Sequence, residues 1–210
     1  MKRENKVNGR LVTMTTTDVI EELRKGRVSV IASRPAGGKT TLACLIAADV
    51  IRNTPDAAVV YFSLGMPSAQ LSERIKSLTG ANTVQGENLV IDDTTAIDVD
   101  EICQRVKSLK AKKNIQLVIV DYLQLVNCGK RHSEGRQAEI AEIGEMLRGL
   151  AKNEDIAVVV LVQMSHNCTA EDSLRECSLP KIAAERFTII ENPRDEQANA
   201  NQWKIEKTIW

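Results

Sequence analysis

Aromatic side chains are scarce in this sequence: two Phe, two Tyr and two Trp make up 3% of 210 residues. A platform for stacking the bases of single-stranded nucleic acid has few rings to draw on. Net charge is missing as well. Lys plus Arg number 28 and Asp plus Glu number 28, so no global positive field attracts nucleic acid, and any such contact must be local. Long apolar runs are missing too. None approaches the roughly 20 residues that span a bilayer, and the charged start Met1 to Lys6 has no apolar stretch behind it, which reads against a secretory signal. The five cysteines are odd in number and contain no Cys-x-x-Cys spacing. These features point to reduced thiols in a cytoplasmic protein with no membrane segment. Cys44 reads as a small core residue rather than a redox group.

What is present is a chain of one-domain length with 43% hydrophobic residues, enough for a full core. Residues 1–14 read as a loose basic arm, and 15–210 as one domain. Thr15 to Asp18 offer N-caps to a helix over Val19 to Lys25, stopped by Gly26. Apolar runs over Val28–Ala32, Ala57–Ser63, Ile115–Asp121 and Ile156–Val162 read as buried strands, with a shorter one over Leu89–Asp93. Between them, amphipathic runs predict helices: one after Thr40 to about Asn53, then Ser68–Leu78, a stretch carrying Ile102, Val106 and Leu109, and about Gln137–Lys152. Apolar strands alternating with such helices imply an α/β fold with a mainly parallel sheet and helices on both faces. Phe187–Ile190 and Trp203–Lys207 read as an antiparallel edge pair near the C-terminus.

One loop organises the rest. Ser33, Arg34, Pro35, Ala36, Gly37, Gly38, Lys39 and Thr40 lie between a strand and a helix that opens with Thr41. Strand, tight loop and helix N-terminus form the P-loop context, in which backbone N–H groups and the helix dipole receive phosphate oxygens. Gly37 and Gly38 let the chain approach the phosphates closely. Lys39 is expected to reach the β- and γ-phosphates, and Thr40 to ligate Mg²⁺. The motif is one match short, because Ser33 stands where its leading Gly belongs. A second Mg²⁺ anchor is expected from Asp121, at the carboxyl end of Leu117-Val118-Ile119-Val120; the alternative is an acid that merely caps a strand. Gln163, just past the fourth buried strand, is placed to sense a γ-phosphate. The implied ligands are ATP and Mg²⁺.

Several runs together resemble one family. Ser33 to Thr40 is similar to the phosphate loop of the DnaB-type replicative helicases. Phe62-Ser63-Leu64-Gly65-Met66-Pro67 with Gln70, Leu71 and Arg74 resembles their F-S-L-E-M segment. Val118 to Leu125 resembles their V-I-D-Y-L-Q-L strand, Arg136 to Ile140 their R-Q-x-E-I, Leu161 to Met164 their L-S-Q-L, and Leu174 to Cys177 their L-R-E-S-G. The resemblance covers the motor domain, about residues 28 to 190. It implies a RecA-like fold, hexameric rings, ATP hydrolysis, single-stranded DNA and a role in DNA replication. The departures matter as much. Gly65 stands where the family has its catalytic Glu, a group worth about 10²–10⁴ in rate. Lys207-Thr208-Ile209 stands where the family has Lys-x-Arg, so the arginine finger, worth roughly 10³–10⁵ in related GTPases, is missing. His166 replaces an Arg, and Leu179 to Ala184 replaces an acidic run.

By that resemblance, two loops would face DNA. Residues 126–136 carry Lys130, Arg131 and Arg136 and are locally basic, whereas 165–180 are locally acidic. Phosphate contacts and two plain solvated loops are both open at this stage. So are two functions: a DnaB-like ATPase or helicase domain, and an ATP-binding, poorly hydrolysing module that docks on a replication protein, such as a replicative helicase. A P-loop phosphotransferase is the remoter alternative.

Overall fold

A computed structural model of the chain describes residues 12–21, 23–54, 56–79, 88–129, 135–164, 187–191 and 202–209. In chain order these give β1 (Val12–Thr15), α1 (Thr16–Glu21), β2 (Val28–Ser33), α2 (Lys39–Asn53), β3 (Ala57–Ser63), α3 (Ser68–Thr79) and β4 (Leu89–Asp92). Then come α4 (Val99–Lys110), β5 (Asn114–Asp121), a 3-10 turn (Leu123–Leu125), α5 (Arg136–Glu154), β6 (Ala157–Gln163), β7 (Phe187–Glu191) and β8 (Gln202–Ile209). The eight strands form one sheet in the order β1-β8-β7-β2-β6-β5-β3-β4. Every pair from β7 to β4 is parallel, while β8 runs antiparallel to β7 and to β1.

The central strands are apolar on both sides because both sides are covered. Along β6, Val158, Val160 and Val162 enter one core, with Ile143, Leu147 and Leu150 of α5 and Ile102 and Val106 of α4. Val159 and Leu161 enter the other, with Leu42, Ile46 and Ala47 of α2 and Leu71 and Ile75 of α3. A strand's side chains alternate between faces, so a continuous valine run feeds two cores at once. The α/β layering expected from the sequence is therefore what the chain adopts, and the C-terminal antiparallel pair is present. Among the described residues no helix is long and apolar enough to cross a membrane.

Two local features differ from the sequence reading. Val12 to Met14, read as the end of a loose arm, belong to β1, which pairs with β8 from Val12↔Ile205 to Thr15↔Gln202 and forms the outermost strand. Residues 1–11 lie outside the described residues. The first helix occupies Thr16–Glu21 instead of Val19–Lys25. The Arg24 guanidinium donates to the Glu21 carbonyl, and Gly26, with φ 73°, donates its N–H to the Ile156 carbonyl at 3.0 Å. Those contacts turn the chain out of the helix and into β2.

Candidate functional site

Strand register brings the site together. Ser33 pairs with Gln163, and Ser63 with Asp121, so the last residues of β2, β6, β3 and β5 stand in a row at the carboxyl edge of the sheet. Ligands bind at that edge in open parallel sheets. The loop from Ser33 to Gly38 crosses it. The Gly37 N–H donates to the Arg34 carbonyl at 3.0 Å, and Ala36 (φ 60°) and Gly38 (φ 90°) take left-handed conformations. A Cβ on Gly37 would lie 2.8 Å from Ser33 Cβ and 2.9 Å from the Arg34 carbonyl oxygen. The loop is closed to a side chain there, as a backbone cradle must be. The Ser33 hydroxyl turns to the Arg34 carbonyl at 3.0 Å, so the serine at the motif's leading position fits inside the turn.

Lys39 and Thr40 open α2 beneath this loop. Lys39 Nζ donates to Gln163 Oε1 at 3.3 Å and lies 5.6 Å from the centroid of the Tyr122 ring. Thr40 Oγ1 donates to Asp121 Oδ2 at 2.9 Å, linking positions 81 residues apart. The Tyr61 hydroxyl donates to the same Asp121 oxygen at 2.9 Å. Lys39 is 8% exposed and Asp121 7%. Burial lowers the Lys39 pKa, opposed by the charge of Asp121. Burial likewise raises the Asp121 carboxyl, opposed by the hydroxyls of Thr40 and Tyr61 and then by Lys39 and Arg74. Two opposite charges are thus held with little water and incomplete compensation. That state suits a site whose ligands bring both a divalent cation and phosphate oxygens. One carboxylate and one hydroxyl form a sparse donor set of the kind Mg²⁺ takes, since it completes its shell with water and phosphate. Among the described residues no cluster of three or more His, Cys, Asp or Glu forms an all-protein metal cage.

Neighbouring groups brace this centre. Arg74 of α3 donates to Thr41 Oγ1 at 2.6 Å. Gln124 clamps Gln163 through both backbone groups, donating to its carbonyl at 2.8 Å and accepting from its N–H at 3.4 Å. Burial pushes the Cys44 thiol up to about 12, so it stays protonated. Gly65 follows β3; a Cβ there would sit 3.2 Å from Cε1 of the Tyr122 ring. Tyr61, Gln124 and Tyr122 were not singled out as site residues by the sequence. For Tyr61 the signal was a phenol inside an apolar strand, which a core position explains equally well; for Tyr122 and Gln124 it was their place in the Val118 to Leu125 run.

Of the residues proposed for DNA, Arg136 is described, and its partners lie beside this site rather than in it. Arg136 donates to the carbonyls of Gln124 at 3.0 Å and Val126 at 2.8 Å, and to Glu139 Oε2 at 2.8 Å. Its guanidinium closes the turn after β5. Lys130 and Arg131 lie outside the described residues, as do 165–186. Lys207 to Ile209 fall in β8, opposite Ile189 to Phe187.

A family model, the DnaB-like helicase C terminal domain, matches residues 14–84 and 75–180. The replicative DNA helicase DnaB of Geobacillus stearothermophilus is 28% identical over 189 residues, covering 79% of this chain and 41% of that protein. The replicative DNA helicase DnaB of Rickettsia felis is 33% identical over 186 residues, covering 73% of this chain and 37% of that protein. The chain thus spans about two fifths of the length of these relatives. Among solved structures, an ATPase domain superposes with TM-score 0.74 at 20% identity over 96% of this chain and 85% of its own. A DnaB-like replicative helicase, studied for its interactions with primase, superposes with TM-score 0.67 at 21% identity, over 84% of this chain and 52% of its own. At those identities the likeness concerns the fold, which is the RecA-like α/β arrangement.

Proposed function

This chain belongs to the DnaB-like helicase C-terminal domain family, and from that premise we propose that it is a Mg-ATP-binding domain acting in DNA replication, with slow hydrolysis. The observation that carries the reading is the 2.9 Å contact of Thr40 with Asp121, directly below a loop closed to side chains at Gly37. The backbone from Ser33 to Thr41 and the Lys39 ammonium receive the phosphates. Thr40 and Asp121 would hold the metal. Gln163, at hydrogen-bond distance from Lys39, is placed to register the γ-phosphate. Mg²⁺, when bound, would offset the charge of the phosphates.

Turnover is the weaker half. By the resemblance, a carboxylate would activate water where Gly65 stands, and an arginine would meet the charge on the transferred phosphoryl where Ile209 stands. Gly65 and Ile209 therefore favour a binding role, in which this domain docks with copies of itself or with a replicative helicase and reports ATP by its conformation. Contact with single-stranded DNA belongs to the same proposal. It would be carried by Lys130 and Arg131, independent of sequence and sensitive to salt.

Binding of a fluorescent ATP analogue tests the site. The full chain should bind it more tightly with Mg²⁺ than in chelator, and Lys39→Ala should abolish binding. Unchanged affinity in Lys39→Ala would refute the site. ATPase assays with and without single-stranded DNA test the second half; robust DNA-stimulated turnover would refute slow hydrolysis.

A further inference from the structure

Asp121 has a hydroxyl partner that the phosphate-loop motif does not supply. Tyr61 lies on β3, whose other residues are Ala57, Ala58, Val59, Val60, Phe62 and Ser63. In the register of β3 with β5, Tyr61 pairs with Ile119 and Ser63 with Asp121. Tyr61 and Asp121 are thus diagonal neighbours on one face of the sheet, within reach of a long aromatic side chain. That face is the one covered by α2, which carries Thr40. A fully buried phenol needs a partner for its O–H, and Tyr61, with no exposed surface, finds it in Asp121 Oδ2 at 2.9 Å.

Two donors on one oxygen restrict rotation of the carboxylate. They are not equivalent. Thr40 opens the nucleotide-facing helix and can turn its oxygen toward a metal, whereas Tyr61 is locked in the core. We propose that Tyr61 is a positioning residue for the divalent cation: its hydroxyl fixes the orientation in which Asp121 meets Mg²⁺, and keeps that hold when Thr40 turns away. The inference rests on the Mg-nucleotide reading of this site. It supplies the outer hydrogen bond by which a ligating carboxylate is oriented, and losing such a partner typically costs about 10–100-fold in metal affinity.

The test uses the full chain, a fluorescent ATP analogue and Mg²⁺ titration. Tyr61→Phe removes one oxygen. It should raise the free Mg²⁺ needed for half-maximal binding about tenfold, with metal-free nucleotide affinity within about twofold of wild type. In an Asp121→Asn background the same change should shift nothing further, because its effect runs through the carboxylate. Para-aminophenylalanine at position 61, which keeps a donor at the ring tip, should restore the midpoint, and it carries the test if Tyr61→Phe does not fold. An unchanged midpoint in folded Tyr61→Phe, a full shift in the Asp121→Asn background, or no restoration by the amino analogue would overturn the proposal. Wild type that binds nucleotide without regard to Mg²⁺ overturns the site reading and this inference together; a Mg²⁺-dependent wild type with an unresponsive Tyr61→Phe overturns this inference alone.

Discussion

Gly37→Ala is the most direct probe of the loop. The added methyl would lie 2.8 Å from Ser33 Cβ, 2.9 Å from the Arg34 carbonyl oxygen and 3.0 Å from Ser33 Oγ. The first contact falls at least half an ångström inside the ~3.5–4.0 Å optimum for carbon pairs. The second is with backbone and cannot be relieved by rotating a side chain. Overpacking of this kind costs about 1–3 kcal/mol. The loop bears on solvent, so the free protein relaxes by moving it outward, and its melting temperature should fall by no more than about 2–4 °C, the shift for roughly 1 kcal/mol in a domain this size. Bound phosphate requires the loop back in place, so the strain returns as a loss of nucleotide affinity of about 5- to 150-fold. Ser33→Gly removes two of the three contacts and should restore part of that loss, with the Arg34 carbonyl accounting for the rest. Titration of a fluorescent ATP analogue against the single and double variants measures both effects. Wild-type affinity in folded Gly37→Ala would refute the cradle, and no restoration by Ser33→Gly would refute the steric account.

Other perturbations separate the remaining roles. Gly65→Glu should fit, since the nearest obstacle is the edge of the Tyr122 ring at 3.2 Å; it should raise single-turnover hydrolysis about 10²–10⁴-fold, about 3–5 kcal/mol off the barrier. No gain in that variant or in Gly65→Glu with Ile209→Arg, with nucleotide binding intact, would refute Gly65 as the missing acid. Arg136→Met should cost about 1–2 kcal/mol in urea denaturation, because carbonyls of Gln124 and Val126 lose their donor. It should leave the salt dependence of single-stranded DNA anisotropy unchanged; a slope smaller by about one would put Arg136 on a phosphate instead. Asp92 gives a pH test. Burial raises its carboxyl, but hydrogen bonds from Arg105 and Thr94 outweigh that and leave it below the ordinary value. A depressed carboxylate stabilises the fold above its unfolded pKa, and the gain disappears as pH falls through the depressed native value. Asp92→Asn should therefore cost about 1 kcal/mol at most at neutral pH and nothing in acid. Equal losses at both would refute the charge interaction.

The parts legible in the sequence are those set by neighbours in the chain. Buried strands such as Val158–Val162 announce themselves by apolar continuity, and the turn from β2 into α2 by its Gly-Gly-Lys-Thr. Asp121 was legible because an acid ending a buried strand falls at the sheet's carboxyl edge. β1 was not, because Val12 pairs with Ile205 and nothing between them signals that meeting. Tyr61 was hidden because a phenol within an apolar strand reads as core, and its hydroxyl's target lies on another strand. For Arg136, charge counting does not reveal that its guanidinium also meets two carbonyls and a carboxylate.

On the proposed reading, binding and turnover separate along physical lines. The binding groups are tied to the core and to each other. Removing Asp121 would leave Thr40 and Tyr61 without their shared acceptor and Lys39 without its nearby negative charge, so its loss would disturb the unliganded protein as well. Among the described residues, no such network binds position 65. It lies on the turn after β3, against the edge of one ring, and an acid there would stabilise only the transition state. A chain can therefore lose that acid with little effect on folding, whereas losing Asp121 would strip Thr40 and Tyr61 of the acceptor they share.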